Sequence, residues 1–453
     1  MLRRIDLTRG QRLTEADLVR SGGIDAEVLG VAQRIVDDVR ARGDEALREY
    51  TKQLDKADIG VIRVSEAEIE AAVAAVGDDF LDSVSAAADA IEDFHRRQVP
   101  QSWFTPGDGG VFLGVKVTPI RRVGIYVPGG RARYPSSVLM NAIPAIVAGV
   151  DEIAMVCPPD AEGGVSPYTL AAAQIAGVDE VYRVGGAQAV AALAYGTESI
   201  PRVDKITGPG NAYVTAAKKL VMGEVGIDML AGPSEVLVLA DDTAVPAFVA
   251  VDLMAQAEHD PRAATYLVTT DPDLPDAVTE ALEVLLGEAP RADVIRRSLT
   301  DNGVAVVCPD IGVAIDVANV IAPEHLEVQC ADPFDLLGAI RNAGAIFLGP
   351  WTPESIGDYV AGPNHVLPTG GTARFSSPLS VDDFVKKSSV ISYSFEALEV
   401  DGPICMAIAE AEGLYAHGEA VGLRLASVME EIDVEGELAE LLDEDDEDDE
   451  GGE

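Results

Sequence analysis

The chain has 453 residues, 48% of them hydrophobic, and sets 77 acidic against 33 basic residues for a net charge of −44. That length provides for two or three domains with a large core, and that charge argues against nucleic acid or anionic lipid as a partner, because no basic patch is present to neutralise phosphates. The N-terminal MLRRIDLTRGQRLTE lacks the apolar core of a signal peptide and no uncharged apolar run is long enough to span a bilayer, so a cytoplasmic setting with no membrane association is expected.

Residues 10 to 100 read as helix throughout. DAEVLGVAQRIVDDVRARGDEALREYTKQL and EAEIEAAVAAVGDDFLDSVSAAADAIEDFHRRQ return an apolar residue every three or four positions. From about residue 111 the period changes. Short β-branched runs (VGIYVP, DEIAMVCP, DEVYRVGG, VDKITGPG) alternate with helical stretches such as PSSVLMNAIPAIVAGV and SPYTLAAAQIAGV, which is a βαβ series and hence a parallel sheet. A second series follows: strand EVLVLADD, helix AVPAFVAVDLMAQAEHD, strand ATYLVTT, helix LPDAVTEALEVLLGE, strand GVAVVCPD, helix IGVAIDVANVI and strand GAIFLGP. Two such series predict a bilobal α/β molecule whose ligands lie between the lobes, at the carboxyl ends of strands. The stretch TPESIGDYVAGPNHVLPTGGTARFSSPLS has little periodicity, and loops this long inside a compact domain are usually functional.

The chain closes on LLDEDDEDDEGGE, nine carboxylates with almost nothing that could pack; without them the charge is still about −35, so acidity covers the whole surface. In molar salt the Debye length falls to about 3 Å and such self-repulsion is screened. With 25 Arg against 8 Lys, the composition reads as a halophile's protein, of haloarchaeal type. Cys157, Cys308, Cys330 and Cys405 are far apart and form no C-x-x-C pair, so they read as buried small hydrophobes.

Chemistry-bearing residues are sparse. Gln256 and His259, in MAQAEHD, stand at i and i+3 and so share one helix face, a spacing that suits two ligands of one metal ion and equally a helix end that simply turned polar. Of five histidines, only His95 lies in a stretch without turn or loop signals; His259, His325 and His365 have Glu258, Glu324 and Asp358 beside them or nearby, and His417 lies in AEAEGLYAHGEA. Imidazole, carboxylate and amide oxygen all suit a divalent ion such as zinc, though no H-E-x-x-H or C-x-x-C signature is present. In KITGPGNAYVTAAKKLV a strand runs through G-P-G into a helix whose first N–H groups could hold an anion, but the third glycine of the dinucleotide fingerprint is missing.

Taken together and in this order, RVGIYVPGGRARYPSSVLMNAIPA, VGGAQAVAALAYGT, KITGPGNAYVTAAKKLV, DMLAGPSEVLVLAD, AQAEHDPRA, APEHLE and GDYVAGPNHVLPTGGTARFSSPLSV resemble the histidinol dehydrogenase family, as far as about residue 428. The resemblance implies two incomplete Rossmann-type α/β lobes with helical arms: an N-terminal arm over 1–25, a zinc-binding lobe from 26–122 and 235–379, an NAD-binding lobe over 123–234, a C-terminal dimerisation arm over 380–430 and a disordered acidic tail over 431–453. It implies NAD-dependent oxidation of L-histidinol to L-histidine, the last steps of histidine biosynthesis, with Glu324 and His325 as the catalytic pair. One zinc per subunit would be held by Gln256, His259, Asp358 and, from the partner of a homodimer, His417. Substrate contacts would add Ser234, His365 and Glu412 to His325 and the zinc ligands, and NAD contacts would be Tyr126, Gln188 and Asn211. Two rival readings are a relative that oxidises another small alcohol, such as a sulfonated diol, and a zinc-dependent hydrolase in which the metal activates water.

Overall fold

Runs such as RVGIY, EIAMV, EVLVLA, ATYLVT and GVAVV show no polar alternation, as expected of parallel strands covered on both faces. In the computed structural model all five are strands, buried along nearly their whole length. The structure describes residues 1–14, 17, 24–129 and 133–429; the expected acidic tail and most of 15–23 lie outside the described residues. The chain forms two compact units, one from 1–99 and 119–385, the other from 100–118 and the residues from 386 onward.

The first unit contains two parallel sheets of the same design. In the five-stranded sheet the order is Glu180–Tyr182, Glu152–Val156, Arg122–Tyr126, Lys205–Thr207, Gly226–Ile227. In the six-stranded sheet Gly303–Val307, Ala264–Thr269, Glu235–Ala240, His325–Gln329 and Ala345–Leu348 repeat that pattern, and Arg3–Asp6 adds an edge strand beside Gly303–Val307. Each sheet starts at its centre, grows outward on one side, then crosses back to the other. The expectation of two incomplete Rossmann-type lobes describes this arrangement.

The hydrophobic cores divide the chain differently from the expected boundaries. Residues 26–122 are expected to group with 235–379, yet helix Ala26–Arg42 packs on helices Gly186–Tyr195 and Ala212–Val221 and buries Ala32, Ile35, Val36 and Val39 in a core shared with the five-stranded sheet. Helix Asp78–Arg96 buries Val84, Ala87 and Ile91 against the same sheet's other helical layer. The six-stranded sheet draws instead on the first residues, with Ile5, Leu7 and Leu13 in its core. The N-terminal helices are started by local chemistry: Asp25 accepts the Glu27 N–H at 2.6 Å, and Ser65 and Glu68 form a reciprocal capping box.

In the second unit, Trp103–Pro106 pairs antiparallel with Phe112–Pro119, and Val385–Ser392 lies on the other side of that strand. Ser394 caps helix Phe395–Glu412, which is followed by helix Tyr415–Met429. Val400, Ile404 and Ile408, spaced by four, form an exposed apolar stripe on the first of these helices.

Candidate active site

The segment APEHLEVQ, not anticipated as a strand, supplies one: His325–Gln329 lies buried between Glu235–Ala240 and Ala345–Leu348. Leu326 and Val328 face one side, and His325, Glu327 and Gln329 the other. Polar residues on a buried face are what hid it. His325 begins its strand and Glu235 begins the neighbouring one, in register through Val236. The chemistry-bearing residues therefore line the amino edge of the six-stranded sheet, where a site at carboxyl ends had been expected.

Two helices deliver further groups to that edge. A helix joining two parallel strands runs back against them, so the last turn of Pro246–Ala257 emerges at the amino edge. Gln256, in that turn, is 1% exposed, and its Oε1 has no hydrogen-bond partner among the described residues. Helix Glu354–Tyr359 carries Glu354 and Asp358 four residues apart, on one face. Ligand atoms of His259, Glu354 and Asp358 all lie within 4.8 Å of one another. Glu354 was missed in the sequence because it sits in the apparently aperiodic loop; its i,i+4 spacing from Asp358 was the available signal.

His325 is the hub of this cluster. Its Nδ1 lies 3.3 Å from the Glu235 carbonyl, which accepts a hydrogen bond there, and 3.9 Å from Oε2 of both Glu324 and Glu354. Its Nε2 stands 3.6 Å from Asp358 Oδ1, just beyond hydrogen-bond length. Glu324 Oε2 accepts the Glu235 N–H at 2.8 Å. His365 holds the Asp358 carbonyl through Nδ1 at 3.0 Å and reaches Ser137 Oγ, in the five-stranded lobe, at 3.5 Å through Nε2.

Burial and charge oppose each other here. Burial alone would drive His325 toward neutrality, but Glu354, Glu324 and Asp358 outweigh it and hold the imidazole up at about 10. Burial pushes Glu324 up to about 8 and Glu354 to about 7, in each case against the attraction of His325. Burial would also raise Asp358, but the His325 imidazole beside it wins and its carboxyl is lowered. Burial lowers both His259, whose surface still reaches solvent, and His365. Such a group of neighbours exchanges protons as a set.

The donor set fits a divalent cation. Neutral imidazole, carboxylate and amide oxygen are ligand types that zinc accepts, and buried oxygens of Gln256 and Glu354 are without hydrogen-bond partners among the described residues. A cavity of about 480 Å³ adjoins the cluster, lined by His325, Asp358 and His365 with Phe94, Phe347 and Leu367. That volume suits a small-molecule ligand. Ser234 lies half-buried just before Glu235 at the same edge. Glu412 and His417 belong to the second unit, where both are exposed.

The expected nucleotide contacts gather elsewhere, at the carboxyl edge of the five-stranded sheet. Tyr126 ends the strand from which the chain departs in both directions, the switch point where doubly wound sheets bind ligands. Its hydroxyl accepts the Gly186 N–H at 3.0 Å, and burial raises its pKa. Gln188 is fully buried, with both amide atoms unpartnered among the described residues. Asn211 caps helix Ala212–Val221, accepting from Tyr213 and Val214 at 3.0 and 3.1 Å. Between them Gly208 adopts φ +108°, and a Cβ there would stand 2.2 Å from the Tyr126 carbonyl, so only glycine permits this close turn. The turn is clamped from below: Asp228 accepts the Gly208 N–H at 2.8 Å, Lys218 donates to the Gly208 carbonyl at 3.0 Å, and the two side chains form a buried ion pair.

Three other residues have plain roles. His95 is a core residue, its Nδ1 2.7 Å from the Ile91 carbonyl. Cys157 is buried and its thiol pushed up to about 12, which removes it as a nucleophile. Cys405, expected to be buried, is exposed.

Comparison with known proteins identifies the family. The family model for histidinol dehydrogenase matches residues 19–425. The histidinol dehydrogenase of Syntrophotalea carbinolica is 56% identical over 393 residues, covering 86% of this chain and 91% of that protein. That of Geobacter metallireducens is 52% identical over 413 residues, covering 90% and 94%. A crystal structure of histidinol dehydrogenase from Elizabethkingia anophelis superposes with a TM-score of 0.89 at 38% identity, covering 95% of this chain and 99% of the other. A match over nine-tenths of the chain, in sequence and in fold, places it: the chain belongs to the histidinol dehydrogenase family.

Proposed function

We propose that this chain oxidises L-histidinol to L-histidine by way of L-histidinal, with NAD as hydride acceptor, completing histidine biosynthesis. The observation that carries the reading is the buried Glu324–His325 pair, 3.9 Å apart at a sheet edge and flanked by unpartnered donor atoms. In the first oxidation His325, in the neutral form that the surrounding carboxylates disfavour, takes the proton of the alcohol as hydride leaves its carbon. Glu324, in the ionised form that burial disfavours, then takes a proton from the water that adds to the aldehyde, and neutral His325 serves again as base when the hydrated aldehyde gives up its hydride. NAD receives one hydride in each oxidation, so the balance is one water consumed and two NADH formed. Water-excluding burial keeps the aldehyde from escaping or reacting elsewhere.

Gln256, His259 and Asp358 would hold one zinc, with His417 of a second copy as fourth ligand. The ion, when bound, supplies an anchor for the imidazole and amine of the substrate. Ser234, His365 and Glu412 would contact the substrate, and Tyr126, Gln188 and Asn211 the nucleotide. The exposed stripe Val400, Ile404 and Ile408 supports a homodimer formed through the C-terminal arm. No helix among the described residues is long and apolar enough to cross a membrane, which is compatible with a cytoplasmic enzyme. The charge of −44 supports a salt-adapted enzyme; the relatives named above are bacterial and lend no support to a haloarchaeal origin.

The test is stoichiometric. Purified, zinc-loaded protein in molar potassium chloride should form two NADH per L-histidinol consumed, with histidine as product. NADH from a different small alcohol, and none from histidinol, would favour the rival dehydrogenase; product without any NADH would favour the hydrolase.

A further inference from the structure

Strand His325–Gln329 is covered on both faces, a place normally filled by aliphatic side chains. Burying Glu327, Gln329 and, from the facing helix, Asp252 is costly unless their polar atoms find partners. Most find one another, while Gln329 Oε1 has no hydrogen-bond partner among the described residues. Gln329 Nε2 donates to Asp252 Oδ2 at 2.7 Å and to Glu327 Oε2 at 3.0 Å, so one amide bridges two carboxyl groups, and burial together with the nearby Asp252 carboxyl pushes the Glu327 pKa up. The remaining Glu327 oxygen, Oε1, accepts the Glu354 N–H at 2.9 Å. That N–H opens helix Glu354–Tyr359 and would otherwise be one of its unsatisfied first-turn donors.

Three segments meet at this one side chain. The first is its own strand, which begins with His325. The second is helix Pro246–Ala257, where Asp252 precedes Gln256 by one turn. The third is the helix of Glu354 and Asp358. We propose that Glu327, held by Asp252 and Gln329, is a positioning residue that sets the spacing between these segments and so aligns His325, Gln256 and the Glu354–Asp358 pair. A purely structural role does not call for carboxyl groups, since well-packed apolar residues usually serve a buried polar cluster's stability as well or better. The inference rests on the reading that these groups hold a divalent ion and oxidise an alcohol.

The test compares Glu327→Leu with Glu327→Gln in the zinc-loaded full chain, reading thermal midpoint, zinc affinity by chelator competition, kcat and KM. Glu327→Leu should weaken zinc affinity and lower kcat by about tenfold or more each, with a thermal midpoint lower by about a few degrees for the unpaired Glu354 N–H and a smaller change in KM. Glu327→Gln keeps an oxygen for the Glu354 N–H and should restore both quantities to within about threefold. The proposal is overturned if Glu327→Leu retains zinc affinity and kcat within about twofold, or if Glu327→Gln is as impaired as Glu327→Leu. Should Glu327→Leu not fold, Gln329→Leu, which removes only the bridging donor, is read by the same criteria. If the parent protein forms no NADH from L-histidinol, the substrate reading fails, while the zinc-affinity comparison still decides the role of Glu327.

Discussion

The two parallel sheets share one wiring, yet the five-stranded sheet presents its polar groups at the carboxyl edge and the six-stranded sheet at the amino edge. The helices explain the difference. At the carboxyl edge, helices Gly186–Tyr195 and Ala212–Val221 begin, and their free N–H groups and positive dipole ends favour an anion such as a pyrophosphate. At the amino edge, helix Pro246–Ala257 ends, and its negative end favours a cation. Identical topology thus offers two kinds of site, and the side chains at each edge agree with the field there. Gly208 lets its turn approach the Tyr126 carbonyl at the carboxyl edge; at the amino edge Gln256, His259, Glu354 and Asp358 present oxygen and nitrogen atoms of ligand type.

If the edges work independently, damage to one should spare the other. The largest effect is expected from Glu324→Gln, which should lower kcat by about 10²-fold or more in steady-state assays while zinc content and NAD affinity stay at parental values. Next is Lys218→Met, which leaves Asp228 buried without its cation and should cost about 3–5 kcal/mol in denaturant unfolding. In the fraction that folds, NAD affinity should fall with the Gly208 turn and zinc affinity should not. His417→Ala should weaken zinc binding by about tenfold or more, measured by metal analysis after dialysis, with the α/β lobes still folded by circular dichroism. Full zinc occupancy in that variant would contradict a site shared between subunits.

The smallest effect concerns Asp55, which burial pushes up to about 6 from an ordinary 3.8. Ionising a group whose folded pKa is raised costs stability. That cost is absent below the ordinary value, grows as pH rises toward 6, and is complete above it. Asp55→Asn should therefore raise the thermal midpoint by about a few degrees at pH 7.5 and bring no gain near pH 4. An equal gain at both pH values would show that its side chain acts through packing instead.

Much of this was legible in the sequence. Uniformly apolar runs such as EVLVLA and GVAVV declared strands buried on both faces, and the three-and-four spacing of Ile35, Val36 and Val39 declared a helix. Long motifs carried the family, and they named Glu324, His325, His259 and Asp358, which the structure brings to one sheet edge. What stayed hidden followed from chemistry that outweighs pattern. The strand of His325 was masked by Glu327 and Gln329, polar residues whose partners come from distant segments. Glu354 was hidden in a loop whose one α-helix among the described residues is six residues long. The allegiance of helices Ala26–Arg42 and Asp78–Arg96 depends on which sheet receives their apolar faces, and a periodic pattern does not name its partner.

The claim that chemistry sits at one edge and the nucleotide at the other is tested most directly in His325→Asn, by measuring NAD binding by calorimetry and NADH formation from L-histidinol on the same zinc-loaded sample. The account predicts parental NAD affinity with NADH formation reduced by about 10²-fold or more. Turnover near the parental rate, or loss of NAD affinity equal to the loss of turnover, would contradict it.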